Sequence, residues 1–411
     1  MSTAVTIFGG CKNEWMMRLA LLGCDESWQA FLRDLPPDHQ VVAAYEAPEE
    51  LLPLSALLPN VERSPQWEAL LIRDDIDLIL VASPDRLPAA LEGFDPQARR
   101  VDQLKKLAQA GRSLLISFPA AELLDAYEIE MLRREGNGCI LPWFPGLYHS
   151  AWEELPRLPT LEITWERRVS NLTPNQVLCE LARDLILISR VAGKIKRVTA
   201  LASASENDVA QKWQKLSVRL ETDFFGSVVR WSVARPTVPY SCRVLDEDSA
   251  NPWELQVPVD VSQPWLLREH DTSTPADKDT SQWREATATF ARFEELRNNP
   301  EQKADAWLEA CRSLEVLAAV EKSLQRARTI EISQVEETEE FNFKGVMASG
   351  GCLLLMFSLF ALFIVVLVEG LRLPLRNMSI WRLWPLGLIL PMAAFLALQF
   401  LQTIIQKPRP R

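Results

Sequence analysis

Two charge-free apolar runs close the chain, and no other feature limits its architecture as strongly. From Val346 to Val368 no residue is charged, and Leu, Phe, Val and Met dominate. These 23 residues reach across a hydrocarbon core of about 30 Å at a rise of about 1.5 Å per residue. A second charge-free run extends from Trp384 to Ile405, with Trp381 and Trp384 as interfacial aromatics at its start. A core helix of a soluble protein would show a polar face over such a length, and neither run does. The pattern predicts a two-helix transmembrane hairpin, 346–368 and 384–405, joined by the short linker Glu369–Leu383. The positive residues on the two sides of the hairpin nearly balance. No basic residue precedes the short apolar run Ala4–Phe8, so the start does not read as a signal peptide. The soluble part is therefore expected on the cytoplasmic side, with the membrane as its first partner.

The net charge of −11 is unevenly spread: residues 341–411 carry +6, which leaves −17 on residues 1–340. So acidic a soluble part repels nucleic acid and anionic lipid, and no basic stripe offsets it. The seven cysteines form no CxxC pair and the three histidines lie far apart, so no metal-ligand spacing is present.

Ahead of the hairpin, short apolar strands alternate with helical patterns. Arg18–Gly23, Gln40–Tyr45, Asp77–Ala82, Ser113–Ser117 and Cys139–Leu141 read as strands. Trp28, Phe31, Leu32 and Leu35 repeat at helical spacing between the first two, and Val101–Ala110 and Ala120–Arg134 read as later helices. This alternation predicts an α/β fold with a doubly wound, Rossmann-like parallel sheet. Beyond it, Thr160–Val169, Arg197–Ser203, Leu216–Thr222 and Ser227–Val233 are β-rich, with Gly226 at a turn. They predict a second α+β domain with an open, mostly antiparallel sheet. Asp246–Thr280, rich in Asp, Ser, Pro and Thr, reads as a long surface loop or an insertion.

In a doubly wound sheet, ligands bind at the C-terminal strand ends. The loop after the first strand reads Gly23-Cys24-Asp25-Glu26-Ser27-Trp28. A pyrophosphate grip needs glycines there so that backbone amides can approach. Only Gly23 meets that need; Asp25 and Trp28 stand where the second and third glycines would. Glu46, ending the second strand, is placed to take ribose hydroxyls or to be a plain surface acid. Gly23, Cys24, Asp25, Glu46, Ser83 and Pro84 are thus the candidate cofactor contacts. Asp184 and His149 are the candidate catalytic groups. Each also has a bland reading, structural for Asp184 and surface loop for His149.

Asp75–Pro84, Ala110–Pro119, Arg183-Asp184 with Gly193 and Val198-Thr199-Ala200, and Trp307–Ile332, in that order and spacing, resemble the Gfo/Idh/MocA family of NAD(P)-dependent sugar and inositol oxidoreductases. The resemblance covers residues 17–333. It implies a Rossmann-like domain at 17–145, after an extension at 1–16, and a second domain at 146–333. An acidic linker at 334–345 then leads to the hairpin. It also implies NAD or NADP as cofactor and a homodimer formed through the outer face of the second sheet. The lysine of the family's Glu-Lys-Pro turn falls at Phe118, and its acid/base histidine falls at Arg183. Phenylalanine cannot donate a proton, and arginine stays protonated. The expectation is a membrane-tethered pseudoenzyme acting as a ligand-sensing or protein-docking module. Two alternatives stay open: an active NAD(P)-dependent dehydrogenase with an atypical residue set, and a structural membrane scaffold.

Overall fold

The computed structural model describes residues 16–47, 61–64, 66–83, 95–155, 162–204, 213–223, 227–235, 240–246, 253–269 and 283–332, with scattered positions from 356 to 370. The chain divides into two units, Met1–Ile332 and Ser333–Arg411.

Strand β1 (Met17–Leu22) is the centre of the first sheet because it buries five of its six side chains. It pairs in parallel with β2 (His39–Tyr45) on one side and with β4 (Leu78–Val81) on the other. Adding β3 (Glu62–Ser64), β5 (Leu114–Ser117) and β6 (Ile140–Trp143) gives the order β3-β2-β1-β4-β5-β6. All five pairings are parallel. Alternate residues face opposite ways along a strand. Leu19, Leu21, Leu78 and Leu80 therefore meet one layer, and Ala20, Leu22, Ile79 and Val81 meet another. The first layer comes from α1 (Glu26–Arg33) through Trp28 and Phe31, and from α6 (Glu285–Asn298) through Phe290 and Phe293. The second comes from α2 (Pro96–Gln109) and α3 (Leu123–Gly136). Between β3 and β4, Trp67–Leu71 forms a 3-10 helix.

The C-terminal ends of α2 and α3 meet almost backbone to backbone. A Cβ on Gly136 would lie 2.3 Å from the Ala108 carbonyl oxygen. Gly136→Ala is therefore expected to cost about 1–3 kcal/mol of stability, measurable by denaturant unfolding.

The second sheet runs β13-β12-β11-β7-β10-β9-β8-β14. Its strands are β7 (Glu162–Arg168), β8 (Ile195–Ala204), β9 (Trp213–Thr222), β10 (Val228–Ala234), β11 (Tyr240–Asp246), β12 (Trp253–Pro258), β13 (Leu266–Glu269) and β14 (Ile330–Glu331). Every pairing is antiparallel except β7 with β10. One face packs Ile163, Trp165, Val218, Leu220 and Trp231 into the core shared with α5 (Pro174–Ala192) and α7 (Pro300–Arg326). The other face is held by ion pairs, Arg243–Glu254 at 2.6 Å, Arg197–Glu221 at 3.3 Å and Arg230–Glu162. Helix α7 joins the two sheets' layers. Its Trp307 Nε1 donates to the Ala126 carbonyl at 3.0 Å, and its Ser313 Oγ to the Ala182 carbonyl at 2.6 Å.

One expectation is corrected. The stretch read as a surface loop, Asp246–Thr280, contributes β12 and β13. Trp253, Leu255 and Val257 are buried and alternate with Glu254 and Gln256, a half-buried strand pattern that the turn-rich flanks obscured. Residues 247–252 and 270–282, Pro84, Gly226, the linker 334–345, the run 384–405 and positions 1–15 lie outside the described residues. Within 346–368, the described positions from Met356 to Leu367 are helical and carry exposed apolar side chains, among them Leu359, Phe360, Phe363 and Val366. Among the described residues no helix is long and apolar enough to cross a membrane.

Candidate functional site

The strand order reverses between β1 and β4, so the loops after their C-terminal ends frame the crevice where doubly wound sheets take ligands. Gly23 turns the chain there with φ 79°, and its N–H donates to the Tyr45 carbonyl at 2.8 Å. A Cβ at this position would lie 2.9 Å from Arg100 Nη2, so the turn needs glycine. Cys24 is buried, and burial, with the neighbouring Asp25, pushes its thiol up to about 12. Asp25 caps α1: Oδ1 accepts the Trp28 N–H at 2.9 Å, and Oδ2 accepts the Ser83 N–H at 3.4 Å. The anion position at this helix N-terminus is thus filled by the chain's own carboxylate. Trp28 does not enter the crevice. It is fully buried beneath it, stacked on Trp143 with centroids 3.9 Å apart, and its Nε1 donates to the Val81 carbonyl.

Glu46 is not a surface acid. It is buried, and its Oε1 accepts from Arg99 Nη2 at 2.5 Å and from Gln103 Nε2 at 2.9 Å. Both donors come from α2, which turns the carboxylate inward. Next to them Arg100 is fully buried, with Nη1 donating to Gln103 Oε1 at 2.8 Å and Nε and Nη2 unpartnered. Burial lowers its guanidinium to about 10. A dinucleotide in the usual mode needs open amides at the helix N-terminus and a free acid for the ribose. Asp25 occupies the first and Arg99 with Gln103 engage the second. Arg100 offers two donors to an anion, but from beneath Gly23 and sealed from solvent. The residues present do not fit NAD or NADP held in that way.

The two positions that should carry the chemistry meet each other. Phe118, at the end of β5, is buried, its N–H donates to the Trp143 carbonyl at 2.8 Å, and its bond to Pro119 is cis. Its carbonyl accepts from Arg183 Nε on α5 at 2.8 Å. Arg183 Nη1 donates to Glu180 Oε1, also at 2.8 Å. The guanidinium therefore ties α5 to the residue that follows β5.

Asp184 lies behind this contact with no exposed surface. It accepts from Arg167 through both carboxylate oxygens and from Trp231 Nε1 at 2.8 Å. Burial pushes its carboxyl up, opposed by Arg167 and the indole. It forms a buried ion pair with Arg167. His149 is not on a surface loop either. It is buried and stacked on Trp265 with centroids 3.8 Å apart. Nδ1 accepts the Ala151 N–H, and burial lowers the imidazole to about 4. It faces a separate groove beside Tyr148 and Arg190, so the two catalytic candidates do not converge.

Next to this switch point, reaching it only at Ser83, a groove of about 860 Å³ is lined by Ser117, Phe118, Glu122, Glu180, Arg183 and Glu321, among others. A smaller cavity of about 210 Å³ shares Glu180 and Arg183 and is walled by Trp152 and Trp265. Arg100, Glu122, Glu180 and Glu321 escaped the sequence reading. Arg167 escaped it as well, although it continues the inward register of Ile163 and Trp165, which could have marked it.

No protein-family model matches this chain, and no curated protein does. Solved structures do. An aldose-aldose oxidoreductase from Caulobacter crescentus in complex with glycerol is 12% identical with a TM-score of 0.62, over 77% of this chain and 100% of that one. A myo-inositol dehydrogenase from Corynebacterium glutamicum is 15% identical with a TM-score of 0.59, over 78% and 100%. The WlbA dehydrogenase from Chromobacterium violaceum, in complex with NADH and UDP-GlcNAcA, is 14% identical with a TM-score of 0.57, over 78% and 97%. The described chain therefore has the two-sheet fold of these dehydrogenases.

Proposed function

We propose that this protein is a divergent member of the Gfo/Idh/MocA group that has kept the fold and lost hydride transfer. It works as a ligand-binding module tethered to the cytoplasmic face of a membrane. The observation that carries this reading is the Arg183 Nε bond to the Phe118 carbonyl. Both side chains stand where the resemblance expects a lysine and an acid/base histidine, and neither can relay a proton. The occupied helix N-terminus at Asp25 supports the same conclusion. The tether is supported by the charge-free runs 346–368 and 384–405 and by the exposed apolar side chains of Leu359, Phe360, Phe363 and Val366. A homodimer across the second sheet would have to bury the ion-paired outer face, which is a weak source of affinity.

The active-dehydrogenase reading draws on a structure of this fold solved with NADH, that of the WlbA dehydrogenase. The two readings separate in one assay. Full-length protein in mild detergent is supplied with NAD or NADP and a panel of polyols, hexoses and inositol, and reduced nicotinamide is followed by absorbance. The expected result is no formation above the protein-free rate. Saturable turnover on any of these substrates would restore the enzyme.

A further inference from the structure

The smaller cavity, about 210 Å³, is lined by two sets of groups of opposite character. One set is apolar. Trp152 and Trp265 meet nearly at right angles, with 85° between their planes and centroids 5.4 Å apart. Both indole N–H groups are spent inside the protein, on the Gly146 and Val261 carbonyls at 3.0 and 3.3 Å. Trp152 also stacks on Trp165, and Trp265 on His149. Gly146 has no side chain to hold Trp265 away; a Cβ there would lie 2.9 Å from its Cζ2. The two rings are therefore locked and offer the cavity only carbon. Phe144, Leu187, Val257 and Val261 add to this apolar lining.

The other set is polar and comes from β7 and α5. Arg167 commits Nε and Nη2 to Asp184, and its Nη1 stands 3.9 Å from Glu180, too far for a hydrogen bond. Arg183 commits Nε to the Phe118 carbonyl and Nη1 to Glu180, which leaves Nη2. Neither of these nitrogens has a hydrogen-bond partner among the described residues, and the two side chains are only 12% and 28% exposed. Guanidinium donors held this far from water favour an acceptor brought by a ligand. Their charge is already balanced, because Asp184 answers Arg167 and Glu180 answers Arg183. An ionic ligand would add a charge without a counter-ion.

We propose that this cavity binds an uncharged, ring-sized molecule carrying an oxygen acceptor. Its ring lies in the corner of the two indoles, and its oxygen accepts from the free guanidinium nitrogens. The size agrees: a dry cavity of about 150 Å³ takes benzene, so about 210 Å³ leaves room for a few more heavy atoms. A polyol fits less well. The indole N–H groups, the Gly146 N–H and the Ser241 hydroxyl proton are all engaged within the protein, so the apolar lining has nothing to give further hydroxyls.

This inference rests on the reading of the protein as a non-catalytic ligand-binding module, and the test keeps the two apart. Thermal unfolding of full-length protein in detergent is followed with two pairs of probes alike in shape: acetophenone with benzoate, and benzyl alcohol with benzylamine. myo-Inositol and NADH are separate arms. The expected result is a saturable rise in Tm with an uncharged probe that its charged partner does not give. Val261→Phe, which fills the cavity, is expected to weaken that response by about tenfold or more. Val259 also lines the cavity and is 67% exposed. Val259→Trp therefore obstructs it without touching the core, and gives the same readout should Val261→Phe fold poorly. No saturable shift with either uncharged probe, an equal shift with the charged partner, an unchanged response in the variants, or a shift with inositol in place of the ring probes overturns the assignment and leaves the non-catalytic reading standing. A shift with NADH overturns that reading instead.

Discussion

Replacing Asp184 by alanine is expected to lower the stability of the fold by about 3–5 kcal/mol, the cost of breaking a buried ion pair from one side. The carboxylate has no exposed surface and accepts hydrogen bonds from Arg167 and Trp231. Arg167 sits on β7 and Trp231 on β10, which pair in parallel. Removing the carboxylate strands a buried guanidinium whose remaining carboxylate, on Glu180, is 3.9 Å away. It also leaves an indole N–H without an acceptor. Asp184→Asn keeps an acceptor for Trp231 and loses only the charge, so its loss should be smaller. Denaturant unfolding followed by tryptophan fluorescence measures both. A loss below about 1 kcal/mol for the alanine variant, the scale of an exposed pair, would show that the pair does not hold the sheet to α5.

The second large effect is a pH dependence hidden by cancellation. Burial lowers His149 to about 4 from an ordinary 6.5. Its contribution to stability is complete above pH 6.5. It is lost as pH falls toward 4, because the unfolded chain takes up the proton first. Glu285 behaves in the opposite sense. Burial raises its carboxyl to about 7 from an ordinary 4.5, although the Gly146 N–H it accepts works against this. Its contribution is complete below pH 4.5 and is lost as pH rises toward 7. Over the shared window the two slopes oppose each other. In His149→Phe, which keeps a ring against Trp265, stability should therefore fall as pH rises from 4.5 to 7. In Glu285→Gln it should fall as pH drops from 6.5 to 4. The full effect for His149 is on the order of 3 kcal/mol, and that for Glu285 is smaller because its side chain is only partly buried. Unfolding curves for the two variants across this range decide the matter; parallel slopes of the same sign would contradict it.

The first sheet was legible because its strands are nearly unbroken apolar runs, such as Leu78–Val81, that parallel strands buried on both faces require. The departures at Asp25, Trp28, Phe118 and Arg183 were legible too, because each replaces a residue type that the chemistry needs. Their consequences were not. Whether Glu46 faces ribose or protein depends on Arg99 and Gln103, more than fifty residues away in sequence. The burial of His149 depends on Trp265 and Trp283, which come from beyond the middle of the second sheet. No local period encodes such meetings. The strands at Trp253–Pro258 and Leu266–Glu269 were hidden for a different reason: they are short and set among turn residues.

The central claim, that the fold has outlived its cofactor, is tested most directly by titrating full-length protein with NADH and with NADPH while following nicotinamide fluorescence. Asp25 at the helix N-terminus and the inward-turned Glu46 predict no saturable binding tighter than about 1 mM, a free energy of about −4 kcal/mol. Saturable enhancement with a Kd in the micromolar range for either cofactor would contradict it.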